Sequence, residues 1–204
     1  MRLIAENLGG ERGGRTVFSG IDMSLSDGGA LLITGSNGAG KSTLLKVIFG
    51  LLPCTLGTIR LEEGGELFPT VGSAAHYLGH LNAMKTALSV IENLAFWRDF
   101  DGGDGLELHS ALEAVGLGAI GHLPFGYLST GQRRRASIAR LLISQRPIWL
   151  LDEPTAGLDA ESEQQFSALM ERHLAGGGLI VAATHLPLRL ADTRELRLGE
   201  RAYA

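Results

Sequence analysis

Gly35-Ser36-Asn37-Gly38-Ala39-Gly40-Lys41-Ser42-Thr43 has the spacing G-x-x-x-x-G-K-S, which marks a phosphate-binding loop when a strand leads into it and a helix leaves it. Both flanks fit. Residues 30–34 are a short apolar run of the buried-strand kind, and 43–49 carry apolar side chains at helical spacing up to Gly50. Glycines at 35, 38 and 40 open backbone angles that let several N–H groups converge on one anion at a helix N-terminus. Lys41 is expected at the β- and γ-phosphates, and the Ser42 hydroxyl on Mg²⁺. A glycine turn that only caps a helix needs neither the lysine nor the hydroxyl. ATP or GTP binding is therefore the premise for the rest of the chain.

A second stretch, Pro147-Ile148-Trp149-Leu150-Leu151-Asp152-Glu153-Pro154, is an apolar strand ending in two carboxylates. Asp152 at the strand end is placed to hold Mg²⁺ directly or through water. Glu153 follows it at once and is the candidate to polarise an attacking water, since a base must lie within hydrogen-bond reach of the water it activates.

The 204 residues are 45% hydrophobic, enough for one substantial domain with a smaller lobe. No apolar run reaches the roughly 18 residues of a membrane span, and residues 1–6 lack the apolar core of a signal peptide, so a cytosolic chain is expected. Cys54 is the single cysteine, which excludes an internal disulfide and a thiolate metal cluster. A net charge of −4 argues against broad binding to a nucleic-acid backbone. Arg133, Arg134 and Arg135 fan around a helix rather than forming one basic face, and are expected to be solvated and salt-bridged.

In chain order, residues 1–8 read as a strand, 9–15 as a loop and 16–25 as a second strand, an antiparallel β layer ahead of the phosphate loop. Further short strands are expected at 58–61 and 75–78. From 86 to 144 the texture is helical, with Leu88, Ile91, Leu94, Ala95 and Trp97 at helical spacing. Phe166, Leu169, Met170 and Leu174 form the apolar face of a later helix. A buried strand at 179–183 then delivers Thr184 and His185. The fold class predicted is α/β: a nucleotide-binding core at 1–85 and 145–204 with a β layer, and a helical subdomain at 86–144, all within one domain, 1–204.

Between the two decisive stretches lies Leu128-Ser129-Thr130-Gly131-Gln132. The order of phosphate loop, L-S-x-G-Q, strand with Asp-Glu, and histidine after a strand resembles the ATPase subunits of ABC transporters, over residues 3–198. The resemblance implies a P-loop NTPase core, ATP and Mg²⁺ as ligands, and a head-to-tail homodimer. In that dimer Ser129, Gly131 and Gln132 of one chain meet the γ-phosphate held by the other, and Asp159 in Thr155-Ala156-Gly157-Leu158-Asp159 lies at the interface. It also implies that His185 contacts the γ-phosphate and helps place the water. Integral membrane permease subunits become the expected partners, and the cytoplasmic face of the inner membrane the expected location.

Two positions depart from the family pattern. Where the family carries a glutamine that touches Mg²⁺ and water, the register Tyr77-Leu78-Gly79-His80 places His80, whose charge depends on pH as an amide's does not. No aromatic residue for stacking on adenine occurs between Gly9 and Arg15, which leaves the Arg12 guanidinium as the substitute. Within the family, the short length and the stretches at 77–80, 85–86, 92–94 and 128–135 look most like ATP-binding subunits serving cytochrome c maturation. That likeness implies ATP hydrolysis coupled to heme delivery or to release of a heme chaperone. No motif here binds heme, so heme would enter only indirectly. Alternatives are the ATPase subunit of another small-molecule exporter and, further off, a soluble ABC ATPase; the latter normally resembles a tandem pair or carries a long coiled-coil insertion, and this chain has neither.

Overall fold

The computed structural model describes residues 1–199; residues 200–204, assigned to the core from sequence, lie outside them. The chain forms two compact units. One comprises Met1–Gly79, Arg146–Pro154 and the chain from Met170 on; the other comprises His80–Gln145 and Thr155–Leu169. Residues 155–169, grouped with the core from sequence, fall in the second unit, where the turn at Gly157 packs on the start of a helix at Thr130 and Gly131.

The first unit holds two sheets. Strands β1 (Arg2–Arg12), β2 (Arg15–Ser26) and β4 (Leu56–Glu62) form an antiparallel sheet in the order β2-β1-β4. The expected loop at 9–15 shrinks to Gly13 and Gly14, both with positive φ (59° and 72°), a two-residue hairpin turn whose twist matches the strands. Gly9 and Gly10 are strand residues instead. They are glycines because a Cβ would come within 2.8 Å of Leu56 Cβ at one and 2.5 Å of the Phe18 ring at the other. A glycine required by close packing looks, in sequence, like a glycine required by a turn.

The other sheet is parallel. It contains β3 (Ala30–Thr34), β5 (Ala75–Leu78), β6 (Ile148–Asp152), β7 (Leu179–Ala183) and β8 (Thr193–Arg197), in the order β5-β6-β7-β3-β8. Every residue of β6 and β7 is buried, as befits central strands covered on both faces. Helix α1 (Lys41–Phe49) puts Leu44, Leu45, Val47 and Ile48 into one apolar cluster with Ile33, Leu150 and Val181. Gly50, at φ 89°, closes that helix by donating to the carbonyls of Lys46 and Val47. One turn, α2 (Val71–Ala74), leads into β5. Because β3, β6 and β7 run parallel, their C-terminal ends deliver the phosphate loop, Asp152 with Glu153, and Thr184 with His185 to one edge.

The second unit is helical: α3 (Val90–Asp101), α4 (Leu108–Ala114), α5 (Thr130–Ala139) and the first part of α6 (Ala160–Ala175). Ser89 and Glu92 form a reciprocal capping box on α3. Trp97 lies beneath the Arg140 guanidinium at 4.5 Å and donates its indole N–H to Ala83 O at 2.8 Å. The arginine run is not the solvated cluster expected. Arg133 donates to Gly126 O at 2.6 Å, Arg135 donates to the carbonyls of Val115 and Gly116, and Arg134 is buried. The carbonyls of Val115 and Gly116, at and just past the end of α4, have no intrahelical N–H partner, and the Arg135 guanidinium supplies one. Among the described residues, no helix is long and apolar enough to cross a membrane.

Candidate functional site

The phosphate loop is shaped by close approach. Gly35 has φ 137°, and a Cβ on it would lie 2.4 Å from Leu198 O; Leu198 N–H in turn donates to Thr34 O at 2.8 Å. Gly40 has φ 102° and is the N-cap of α1, and its missing Cβ would meet Val17 Cγ1 at 2.4 Å. Val17 therefore lies against the loop, a neighbour that nothing in the sequence signalled. The cap glycine offers no side-chain acceptor and the first turn of α1 holds no acid. Its leading N–H groups, with the positive end of the helix dipole, are thus left for an anion.

Lys41 folds back over the loop, its Nζ donating to Gly35 O at 2.8 Å and Ser36 O at 3.2 Å. Ser42 donates its hydroxyl to Asp152 Oδ1 at 2.9 Å. Asp152 is only 5% exposed, and its Oδ2 accepts from the Tyr77 hydroxyl at 3.4 Å. A serine oxygen and a carboxylate set side by side are hard donors of the type Mg²⁺ prefers. Tyr77 was not singled out from sequence, because its reach to Asp152 depends on the register of two strands far apart in the chain.

Glu153 takes a left-handed conformation, φ 46°, uncommon for a residue with a side chain and a mark of strained functional positions. It is held there by its N–H donating to Ala183 O at 2.8 Å. Its Oε2 accepts from the His185 backbone N–H at 3.4 Å and lies 2.8 Å from His185 Nδ1. A carboxylate facing Nδ1 calls for the proton on that nitrogen and leaves Nε2 for a second partner. Beside this pair a cleft of about 570 Å³ is lined by Thr34, Gly35, Ser36, Thr184, His185 and Glu195.

The remaining candidates cluster in the second unit. Ser129 is the N-cap of α5: its hydroxyl accepts from Gln132 N–H at 3.3 Å and Gln132 Oε1 accepts from Ser129 N–H at 2.9 Å. The serine and glutamine of L-S-x-G-Q are thus a capping box, a local role visible in the spacing once the helix start is known. Gly131 lets α5 approach the Gly157 turn, since a Cβ would stand 3.0 Å from Gly157 O. Asp159 accepts from Ser162 N–H at 2.8 Å at the start of α6. That hydrogen bond, with the charge of Arg135, holds its carboxyl below the ordinary aspartate range. His80 is exposed and opens the second unit immediately after β5.

A phosphate loop at a helix N-terminus, an aspartate tied to its serine and a glutamate paired with a strand-end histidine define a P-loop nucleotide hydrolase. The ABC transporter family model matches residues 18–156, and the chain belongs to that family: it binds ATP and hydrolyses it. It is 66% identical to the cytochrome c biogenesis ATP-binding export protein CcmA of Mesorhizobium japonicum over 98% of both chains. With the protein of that name from Brucella abortus it shares 59% identity over 93% of this chain and 88% of the relative. Among solved structures it resembles an ABC transporter ATP-binding protein of Pyrococcus furiosus, with TM-score 0.82, 24% identity and coverage of 97% and 98%. It also resembles a bacterial Atm1-family ABC exporter with ATP bound, with TM-score 0.78 and 26% identity over 97% of this chain and 37% of that one.

Proposed function

We propose that the chain is the ATPase subunit of a membrane complex of cytochrome c biogenesis, attached at the cytoplasmic face of the inner membrane through integral membrane subunits. Two copies close head to tail on two ATP molecules, and hydrolysis drives heme export or release of a heme chaperone beyond the membrane. One observation carries the reading: Glu153 and His185 are paired at 2.8 Å in a chain alike over 98% of its length to a cytochrome c biogenesis ATP-binding export protein.

In this reading Lys41 leaves the carbonyls of Gly35 and Ser36 for the β- and γ-phosphate oxygens, while the amides at the start of α1 hold the β-phosphate. Ser42 and Asp152 would hold Mg²⁺, which would neutralise phosphate charge. Glu153 orients the attacking water and accepts its proton. His185 fixes the Glu153 carboxylate through Nδ1 and, when Nε2 also carries a proton, donates from it to the γ-phosphate. Ser129 and the Gly131 amide of the second copy complete the γ-phosphate site, with Gln132 keeping Ser129 in place and Asp159 at the interface. His80 occupies the position of the family's glutamine near the water. Departure of the γ-phosphate removes the charge that keeps the two chains together.

The test is purification from native membranes in mild detergent, with co-purifying proteins identified by mass spectrometry. Heme-handling membrane proteins of cytochrome c biogenesis are the expected partners. An unrelated permease would discard the heme assignment, and soluble partners alone would discard the membrane complex.

A further inference from the structure

Tyr77 stands beside Leu150 in the parallel register of β5 and β6. Side chains on a strand alternate between faces, so Tyr77, Leu150 and Asp152 fall on the same side of the sheet. That side carries α1, whose Leu44 and Leu45 share the apolar cluster with Leu150. The Tyr77 ring packs on Phe49 at the far end of α1, with centroids 5.7 Å apart and a tilt of 44°. Its hydroxyl reaches the other way, to Asp152 Oδ2 at 3.4 Å, while Ser42, at the near end of the helix, donates to Oδ1 at 2.9 Å. Gly79 keeps this lane clear, since a Cβ there would stand 2.6 Å from Tyr77 Cε1.

We propose that Tyr77 is a positioning residue for the metal-holding carboxylate: its phenol engages Oδ2 of Asp152 and so aims Oδ1 at the place it shares with Ser42. A carboxylate steadied at one oxygen rocks about its last torsion more than one steadied at both; with Ser42 on Oδ1 and the phenol on Oδ2, Oδ1 would be kept toward a divalent cation beside Ser42. Outer partners of this kind typically account for about 10- to 100-fold in metal affinity, and a contact as long as 3.4 Å belongs at the low end of that range. The inference rests on the reading of Asp152 as the Mg²⁺ holder.

The experiment uses the full chain with a non-hydrolysable ATP analogue, Mn²⁺ as a paramagnetic stand-in for Mg²⁺, and bound metal counted by electron paramagnetic resonance. Tyr77→Phe is expected to weaken Mn²⁺ binding about tenfold while leaving analogue affinity in EDTA unchanged. Gly79→Ala, which displaces the ring, is expected to reproduce the loss. In an Asp152→Asn background Tyr77→Phe is expected to cost nothing further. An unchanged Mn²⁺ affinity in Tyr77→Phe overturns the proposal, as does an equal loss in the Asp152→Asn background, which would assign Tyr77 to packing alone. Should Asp152→Asn itself bind Mn²⁺ like the natural protein, the metal role of Asp152 falls first and the positioning role with it.

Discussion

His185 Nδ1 and Glu153 Oε2 lie 2.8 Å apart although 32 residues separate them in the chain, because β6 and β7 are adjacent parallel strands that end at the same level. The pair determines what each member does to the other. Glu153→Gln keeps the shape and weakens the base, so ATP binding should persist while hydrolysis falls about 100-fold or more. His185→Ala frees the carboxylate and should also cut hydrolysis, with little effect on ATP affinity. Phosphate release read against equilibrium ATP binding checks both; a normal rate in Glu153→Gln would reject it as the base.

Ser129 has two separable duties. As the N-cap of α5 it should contribute about 1 kcal/mol, lost in Ser129→Ala. Aspartate caps helices as well as serine does, so Ser129→Asp should recover that stability in a denaturant titration. It should not recover ATP hydrolysis, because a carboxylate would face a γ-phosphate of like charge. Recovery of hydrolysis in Ser129→Asp would leave the serine with capping alone.

His173 stacks on Trp149 at 4.1 Å, and its Nε2 is buried with no hydrogen bond. Burial is the main cause that lowers its pKa from 6.5 to about 4. The unfolded chain therefore takes up the proton first, and stability that is complete above about pH 6.5 is lost as the pH falls toward about 4. Between about pH 7.5 and about pH 5 this imidazole alone should remove on the order of 2 kcal/mol. In His173→Phe, which can keep the stack, that part of the slope should vanish; an identical slope in both proteins would locate the acid sensitivity elsewhere.

Gly35 and Gly38 both have positive φ, yet only one is crowded. A Cβ at Gly35 would lie 2.4 Å from Leu198 O, whereas Gly38 has nothing within 4 Å. Gly38→Ala should cost about 1 kcal/mol of backbone strain. Gly35→Ala should cost at least about 2 kcal/mol more, since the colliding atom is the main-chain oxygen of Leu198, the residue that follows β8. Equal denaturation midpoints for the two variants would refute that ordering.

Much of the site was legible because its signals are local. The spacing from Gly35 to Ser42, the helix ended by Gly50, the carboxylates after the apolar run of β6 and the strand that delivers His185 each follow from backbone geometry within a few residues. The two sheets could be anticipated from alternation and buried runs, and Phe166, Leu169 and Met170 are buried as their helical spacing requires. Where sequence reading went astray, one residue type served two physical ends. Gly9 and Gly10 are strand glycines making room for Leu56 and Phe18 rather than turn glycines, and Arg133 and Arg135 donate to the carbonyls of Gly126, Val115 and Gly116 rather than standing as a solvated cluster.

By itself the sequence determined the chemistry available to this protein: a loop of amides and a lysine for phosphate, a hydroxyl and an aspartate for a hard cation, a glutamate and a histidine for water, and a capped helix carrying the family signature. Tertiary structure alone decided which of these groups meet. Ser42 touches Asp152 across 110 positions and Tyr77 reaches the same carboxylate across 75, contacts set by strand order and register. Those follow from burying whole faces of the sheet, a free-energy balance spread over the core that no short stretch of residues contains.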